Sequence, residues 1–190
     1  MECSKIRGTI GTDKKELYTE DGEKFFLTSV TLQGSDIPLV ASEYVLKDIT
    51  GKCDIECYVL TRDRDEKKRL FTYVYARKIT VCEDQSLEDI NEFSLGGRVT
   101  KVQPPKIVGS QGTDVLNFTI SYRSGSARFN VVHCLVSGKV ARQLSALEIG
   151  QVVSGKGYIQ LNRKALEFVL YDCISRKARP IKNKKGVKKW

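Results

Sequence analysis

The side chains in this sequence that suit a chemical task are cations and flat rings set among strand-forming residues of its second half. Arg98, Lys101, Arg123, Arg128 and Phe129 fall in one stretch; Lys156, Tyr158, Arg163 and Lys164 follow on what reads as a hairpin. Each Lys or Arg that meets a phosphate releases counterions, and exposed rings stack on unpaired bases. That is the chemistry of holding a polyanion rather than of making bonds. There is no GxxxxGK[ST] phosphate loop and no GxSxG turn. The only histidine, His133, is followed by Cys134, and adjacent strand residues point to opposite faces. The carboxylates gather in the first half without a paired motif, so no enzyme activity is expected.

Metal and compartment follow from the cysteines. Cys3, Cys53, Cys57, Cys82, Cys134 and Cys173 are scattered, several inside apolar strand patterns. Zinc asks for closer pairs with further ligands, so neither metal nor other cofactor is expected. MECSKIRGTI has no continuous apolar core of the kind an export signal needs, and no apolar run approaches a bilayer span. The expectation is a cytoplasmic, nucleoid-associated protein with reduced core thiols and no membrane partner.

The net charge of +9 is unevenly spread. Residues 1–90 carry 14 Lys and Arg against 18 Asp and Glu; residues 91–190 carry 18 against 5. Eight of those later cations lie in 174–190, yet the remainder of the second half stays basic. Such asymmetry suits a polyanionic partner, and charge alone fits a solubilising surface equally well.

The elements that must position these groups are written twice. IRGTIG from Ile6 and LGGRVTK from Leu95 are apolar strands carrying glycine where a barrel strand bends. A turn and a long strand follow in each half, from Asp21 and from Gly112. Next come helix-permissive segments closed by Gly51 and Gly150: VASEYVLKDITG, with Val45, Ile49 and Tyr44 as its apolar side, and GKVARQLSALEIG, with Val140, Leu144 and Leu147. Each half then has two strands, the last being aromatic-rich RLFTYVYARKITV from Arg69 and ALEFVLYDCIS from Ala165. In the second half an apolar strand run, Phe129 to Val136, ends in Ser137-Gly138 just before the helix, and strand, strand, strand, short helix, strand, strand describes an OB-fold. The chain is therefore expected to be all-β: two tandem OB-fold five-stranded barrels, each with one short helix between strands 3 and 4. Unit 1 spans 1–83, unit 2 spans 90–175, a basic tail covers 176–190, and the acidic, helix-permissive stretch Glu83 to Asp89 joins the units.

At the level of motifs the chain resembles the bacterial single-stranded DNA-binding protein family. Asn91 with LGGRVTK is similar to that family's first strand, Asn117-Phe118-Thr119-Ile120 to its second, and VVHCLVSGKVA to its third strand and helix start. VASEYVLK followed by DIECYVL is similar to its helix and next strand, with Cys57 where the family has glycine. PriB-type primosomal proteins share the fold, and VSGKVARQL with GQVVSGKGYI resembles them about as well. The resemblance implies sequence-tolerant binding of single-stranded DNA in replication, repair or recombination, or primosome assembly through protein contacts, with a homodimer of two-barrel chains; the residues alone also leave open an OB-fold scaffold that binds no nucleic acid. It also puts Thr119, His133 and Lys139 near the binding path. Two departures stand out: KNKKGVKKW is basic where the family carries an acidic tip, and the stacking tryptophans are absent, Trp190 being the only one.

Strand parity sorts the candidates. Phe129, Val131, His133, Leu135 and Ser137 share one face, as do Asn117, Thr119, Ser121 and Arg123; Phe118, Ile120 and Tyr122 read as core. Phe129 and Tyr158 fit stacking or core equally. His133 fits a satisfied structural residue, and Lys156, Arg163 and Lys164 fit ordinary hairpin charge. In unit 1, Phe71, Tyr73 and Tyr75 give one strand a wholly aromatic face, either core or buried against another barrel. Unit 1 is thus expected mainly to build the assembly while unit 2 holds DNA.

Overall fold

Apolar and polar residues alternate through most of this chain, and that period of two places it in β-structure. The computed structural model describes residues 3–63, 70–123, 129–162 and 165–177. Its first sheet contains β1 (Ser4–Ile10), β2 (Lys15–Glu20), β3 (Glu23–Leu32), β4 (Ser35–Ser42), β5 (Gly51–Asp63), β6 (Leu70–Val81) and β7 (Ile90–Asn91), with helix α1 (Glu43–Leu46) after β4. The second contains β8 (Phe93–Val102), β9 (Lys106–Val108), β10 (Thr113–Arg123), β11 (Phe129–Ser137), β12 (Val152–Asn162) and β13 (Ala165–Arg176), with α2 (Gly138–Gln143) after β11.

Both sheets close in one way. β1 pairs with β3 and β5, β4 runs parallel to β6, and β5 pairs with β6. In the second, β8 pairs with β10 and β12, β11 runs parallel to β13, and β12 pairs with β13. Each is a five-stranded OB barrel with its helix between the third and fourth barrel strands, as expected. Each also carries a short strand that the sequence reading did not see, β2 against β3 and β9 against β10.

The interior is filled by the inward half of each strand. Along β11, Asn130, Val132, Cys134 and Val136 are buried while Phe129, His133 and Ser137 are exposed. Phe93 and Phe168 meet edge to face at 5.7 Å and close the centre of the second barrel. Gly51 and Gly150 end the two helical segments at φ +83° and +94°, where a side chain would be strained.

Three expectations need correction. α1 covers only Glu43–Leu46, because Val40 to Ser42 complete β4. Tyr44 is 80 % exposed, so the apolar side of that segment is Val45, Ile49 and Leu46 without it. The stretch Glu83 to Asp89 forms no helix; Gln85 bonds the Cys82 carbonyl and the Lys52 N–H, and Asp89 pairs with Lys52 and accepts from the Gln33 N–H. For Phe71, Tyr73 and Tyr75, left open above between core and an inter-barrel contact, the rings form a separate cluster with Phe25, Leu27 and Tyr18 while Val74 and Ala76 point into the barrel.

The barrels share one contiguous apolar cluster, and their exposed strand edges are sealed across the seam. The described ladder of β1 with β5 ends at the pair Ser4 and Cys57, and β5 runs on to Asp63. Tyr122 Oη donates to the Val59 carbonyl, the Thr61 N–H donates to Asn130 Oδ1 at 2.9 Å, and the Val131 N–H donates to Thr61 Oγ1 at 3.1 Å. The matching overhang of β12 is met by Asn91, which donates to the Ile159 carbonyl at 2.8 Å and accepts from its N–H at 3.0 Å.

Five of the six thiols are buried and Cys3 is half-buried. Burial pushes the Cys53 thiol up to about 11 and Cys173 up to about 12, and drives Cys57 and Cys134 upward as well. The unfolded thiol titrates near about pH 8.5. The stability gained by keeping these thiols neutral is therefore complete below that value and is lost as pH rises through the folded values. Expected results are a melting temperature that falls between about pH 8 and pH 10, and mass-spectrometric labelling of Cys3 first in the native protein at pH 8. Fast labelling of Cys57 or Cys134 would contradict the barrel interiors described here.

Candidate nucleic-acid interface

The outer face of β10 and β11 is concave, and a groove of about 720 Å³ runs along it. It is lined from β10 and β11 by Asn117, Thr119, His133 and Leu135, from β9 by Lys106 and Val108, and from the β12–β13 hairpin by Asn162 and Glu167. Second and third strands with the loops flanking them form the face an OB-fold uses for oligonucleotides and oligosaccharides.

The ladder registers arrange the expected residues in rows. Lys101, Thr119, His133 and Glu167 lie side by side across four strands. Thr119 is buried, and its Oγ1 lies 3.2 Å from His133 Nδ1, which orients the exposed ring. His133 is thus both a satisfied residue and an accessible one. Two rows along the hairpin, Arg123 faces Phe129, with the guanidinium carbon 4.5 Å from the ring centroid. Phe129 is 63 % exposed, which excludes the core reading for it. Arg98 adjoins Ser121 between the two rows, is exposed, and donates one bond to the Gly150 carbonyl at 3.1 Å. Lys139 is exposed at the start of α2.

The hairpin candidates divide differently. Lys156 pairs with Glu92 at 3.6 Å and lines a separate hollow with Ser94, Gly96, Ser154, Asp172 and Ile174, on the β8–β12–β13 face. Tyr158 is half-buried on the outside of β12, since Ile159 points inward, and is separated from Leu135 by Val169. Neither lines the β10–β11 groove. Arg128, Arg163, Lys164 and nearly all of the tail lie outside the described residues.

Sequence reasoning missed the groove's own polar lining. Gln103, Lys106, Asn162 and Glu167 all contribute to it. Glu167 is its acid; the carboxylate accepts from Asn162 Nδ2 at 3.0 Å and from Gln160 Nε2 at 3.5 Å, so part of its charge is spent locally. Lys106 was legible in principle, as the first residue after Pro104-Pro105 in an apolar triplet. Asp114, the other acid nearby, is paired with Arg142 at 2.8 Å.

This arrangement holds better than it reacts. The Thr119 hydroxyl beside an imidazole resembles part of a nucleophile–base pair, but it is buried, and Glu167 is engaged by two amides rather than by the ring. Among the described residues there is no cluster of His, Cys, Asp and Glu able to hold a metal, and no helix long and apolar enough to cross a membrane.

No protein-family model matches the chain, and no curated protein matches it significantly in sequence. Solved structures do match. The wild-type single-stranded DNA binding protein from Thermus aquaticus superimposes with a TM-score of 0.73 at 16 % identity, covering 93 % of each chain. A deletion mutant of that protein gives 0.75 at 16 % identity, covering 94 % of this chain and 96 % of the other. At that identity the likeness is one of fold: over nearly its whole length this chain has a tandem OB-fold architecture.

Proposed function

We propose that this two-barrel chain binds single-stranded DNA without sequence choice, in replication, repair or recombination, and does no chemistry on it. The observation that carries the reading is the outer face of β10 and β11. Exposed Lys101, Arg98 and Arg123 there follow the track a phosphate backbone would take, with Phe129 and the His133 ring free to stack. Lys139 extends the track, and Arg128, Arg163, Lys164 and the basic tail add charge in sequence next to it. The overall likeness to a protein described as a single-stranded DNA binding protein supports it further. The acidic first barrel chiefly braces the second and supplies surface for a homodimer in the cytoplasm.

Titration of labelled oligo-dT at several salt concentrations tests this. Affinity should fall steeply with salt, with a log–log slope of about −0.7 for each phosphate neutralised, and should be similar for mixed sequences. Phe129→Ala should weaken binding about ten-fold and leave that slope unchanged, because it removes stacking and not charge. Equal affinity for duplex, or no binding to any single strand, would reject the proposal.

A further inference from the structure

The first barrel presents a guanidinium plane at the position where the second barrel's groove has its lip. Arg62 lies flat on Tyr18, 3.7 Å from the ring centroid, and Tyr18 is itself stacked on Phe25 at 4.7 Å and 14°. Phe25 is buried at the base and touches Tyr75. Both faces of Tyr18 are therefore covered, and the outermost flat surface of this three-layer stack is the arginine. An ordinary solvated arginine samples many rotamers; the Tyr18 ring beneath this one favours the orientation seen.

Two registers show where that plane lies. The bulges at Glu56/Cys57 and Lys156/Gly157 align β5 with β12, so Arg62 occupies in barrel 1 the place that Asn162 occupies in barrel 2. Asn162 lines the β10–β11 groove. Likewise Tyr18 belongs to β2, the counterpart of the β9 strand that forms that groove's other lip. The seam supplies the second relation. Thr61, next to Arg62, bonds Asn130, and Asn130 is next to Phe129. Arg62 and Phe129, one member of each cation–ring pair, are thus each the chain neighbour of a residue bonded across the seam.

We infer that a single strand held in the second barrel's groove continues over the seam onto barrel 1, where a base stacks on the Arg62 guanidinium while a phosphate accepts its N–H groups. This rests on the proposed function and deepens it: the first barrel, for all its net acidity, contributes one shaped contact to the same ligand. Bases stack on arginine planes as well as on aromatic rings, so the guanidinium offers both a flat face and a charge to the strand.

The test uses the full chain, oligo-dT of two lengths, and two variants. A strand of about 10 nucleotides is within the reach of one OB barrel, and one of about 30 is not. Arg62→Ala should leave the short strand bound as in the wild type and weaken the long one about ten-fold, with the salt slope reduced by about 0.7. Arg62→Lys should restore that slope while recovering little of the affinity, since it returns the charge without the plane. Wild-type affinity of Arg62→Ala for the long strand, or an equal loss on both lengths, overturns the inference, and full recovery by Arg62→Lys overturns the stacking contact. A wild-type chain that binds neither length rejects the proposed function itself, a result separate from these.

Discussion

Reversing Lys101 and Arg123 together to glutamate is expected to lower the affinity for oligo-dT about a hundred-fold at moderate salt and to flatten its salt dependence. Both side chains are exposed, and they stand two rows apart on the β10 face, so their effects should add. Each lost phosphate contact costs roughly a factor of ten, and the new carboxylate repels the strand where the groove already holds Glu167. The matched control is Lys156→Glu, which changes net charge in the same sense on another face and removes a pair with Glu92. It should alter affinity by no more than about two-fold. If the control were as damaging as either groove reversal, binding would follow the overall field of a basic protein and not this surface. Fluorescence anisotropy at three salt concentrations distinguishes the two cases, since a local contact changes the slope and a distant charge mainly shifts the association rate.

What could be read in advance depended on how local the signal was. The outward set on β11 from Phe129 to Ser137 was legible because strand parity has a period of two and needs no knowledge of neighbours. The exposed side of β10 was legible for the same reason, including Thr119 on the polar face, although its burial was not. Fold class was legible from the order of elements, since both halves repeat it. Glu167 was not. Its place beside His133 comes from the parallel pairing of β11 with β13, which joins residues far apart in the chain. Lys156 and Tyr158 lie off this groove for a related cause: β12 carries them round the barrel. β9 was invisible because three residues show no period, and β2 because its two faces do not alternate in burial. The aromatic face of β6 was identified correctly as a face, but not as inside or outside, because Val74 and Ala76 opposite it are apolar too. Small residues fill the tight interior there, and the large rings are left for the outer layer around Tyr18.

The other large effect concerns the strand pair that carries the groove's far lip. Gly157→Ala should destabilise the chain by about 3 kcal/mol or more, at the upper end for overpacking, and lower the melting temperature by roughly 6–12 °C for a protein of this size. A Cβ on Gly157 would lie 2.1 Å from the Val169 carbonyl oxygen and 2.8 Å from the Leu170 Cα. Both obstacles are backbone, so no rotamer change relieves the contact and β12 must move away from β13. The crowding has a structural origin: the register shifts between Lys156 and Gly157, which skips Tyr171 on β13 and tightens the twist there. β5 and β6 repeat the shift, with Cys57 in the place of Gly157, and that thiol is accommodated fully buried. The two barrels thus share the bulge but not its packing, and glycine is demanded in one only. Gly109→Ala provides the comparison: nothing lies within 4 Å of its Cβ, so the cost there is the strain of φ +77° alone, about 1 kcal/mol. Should Gly157→Ala melt within about 2 °C of the wild type, β12 and β13 cannot approach as closely as described. Asn162 and Glu167 would then lose their assigned places at the edge of the groove.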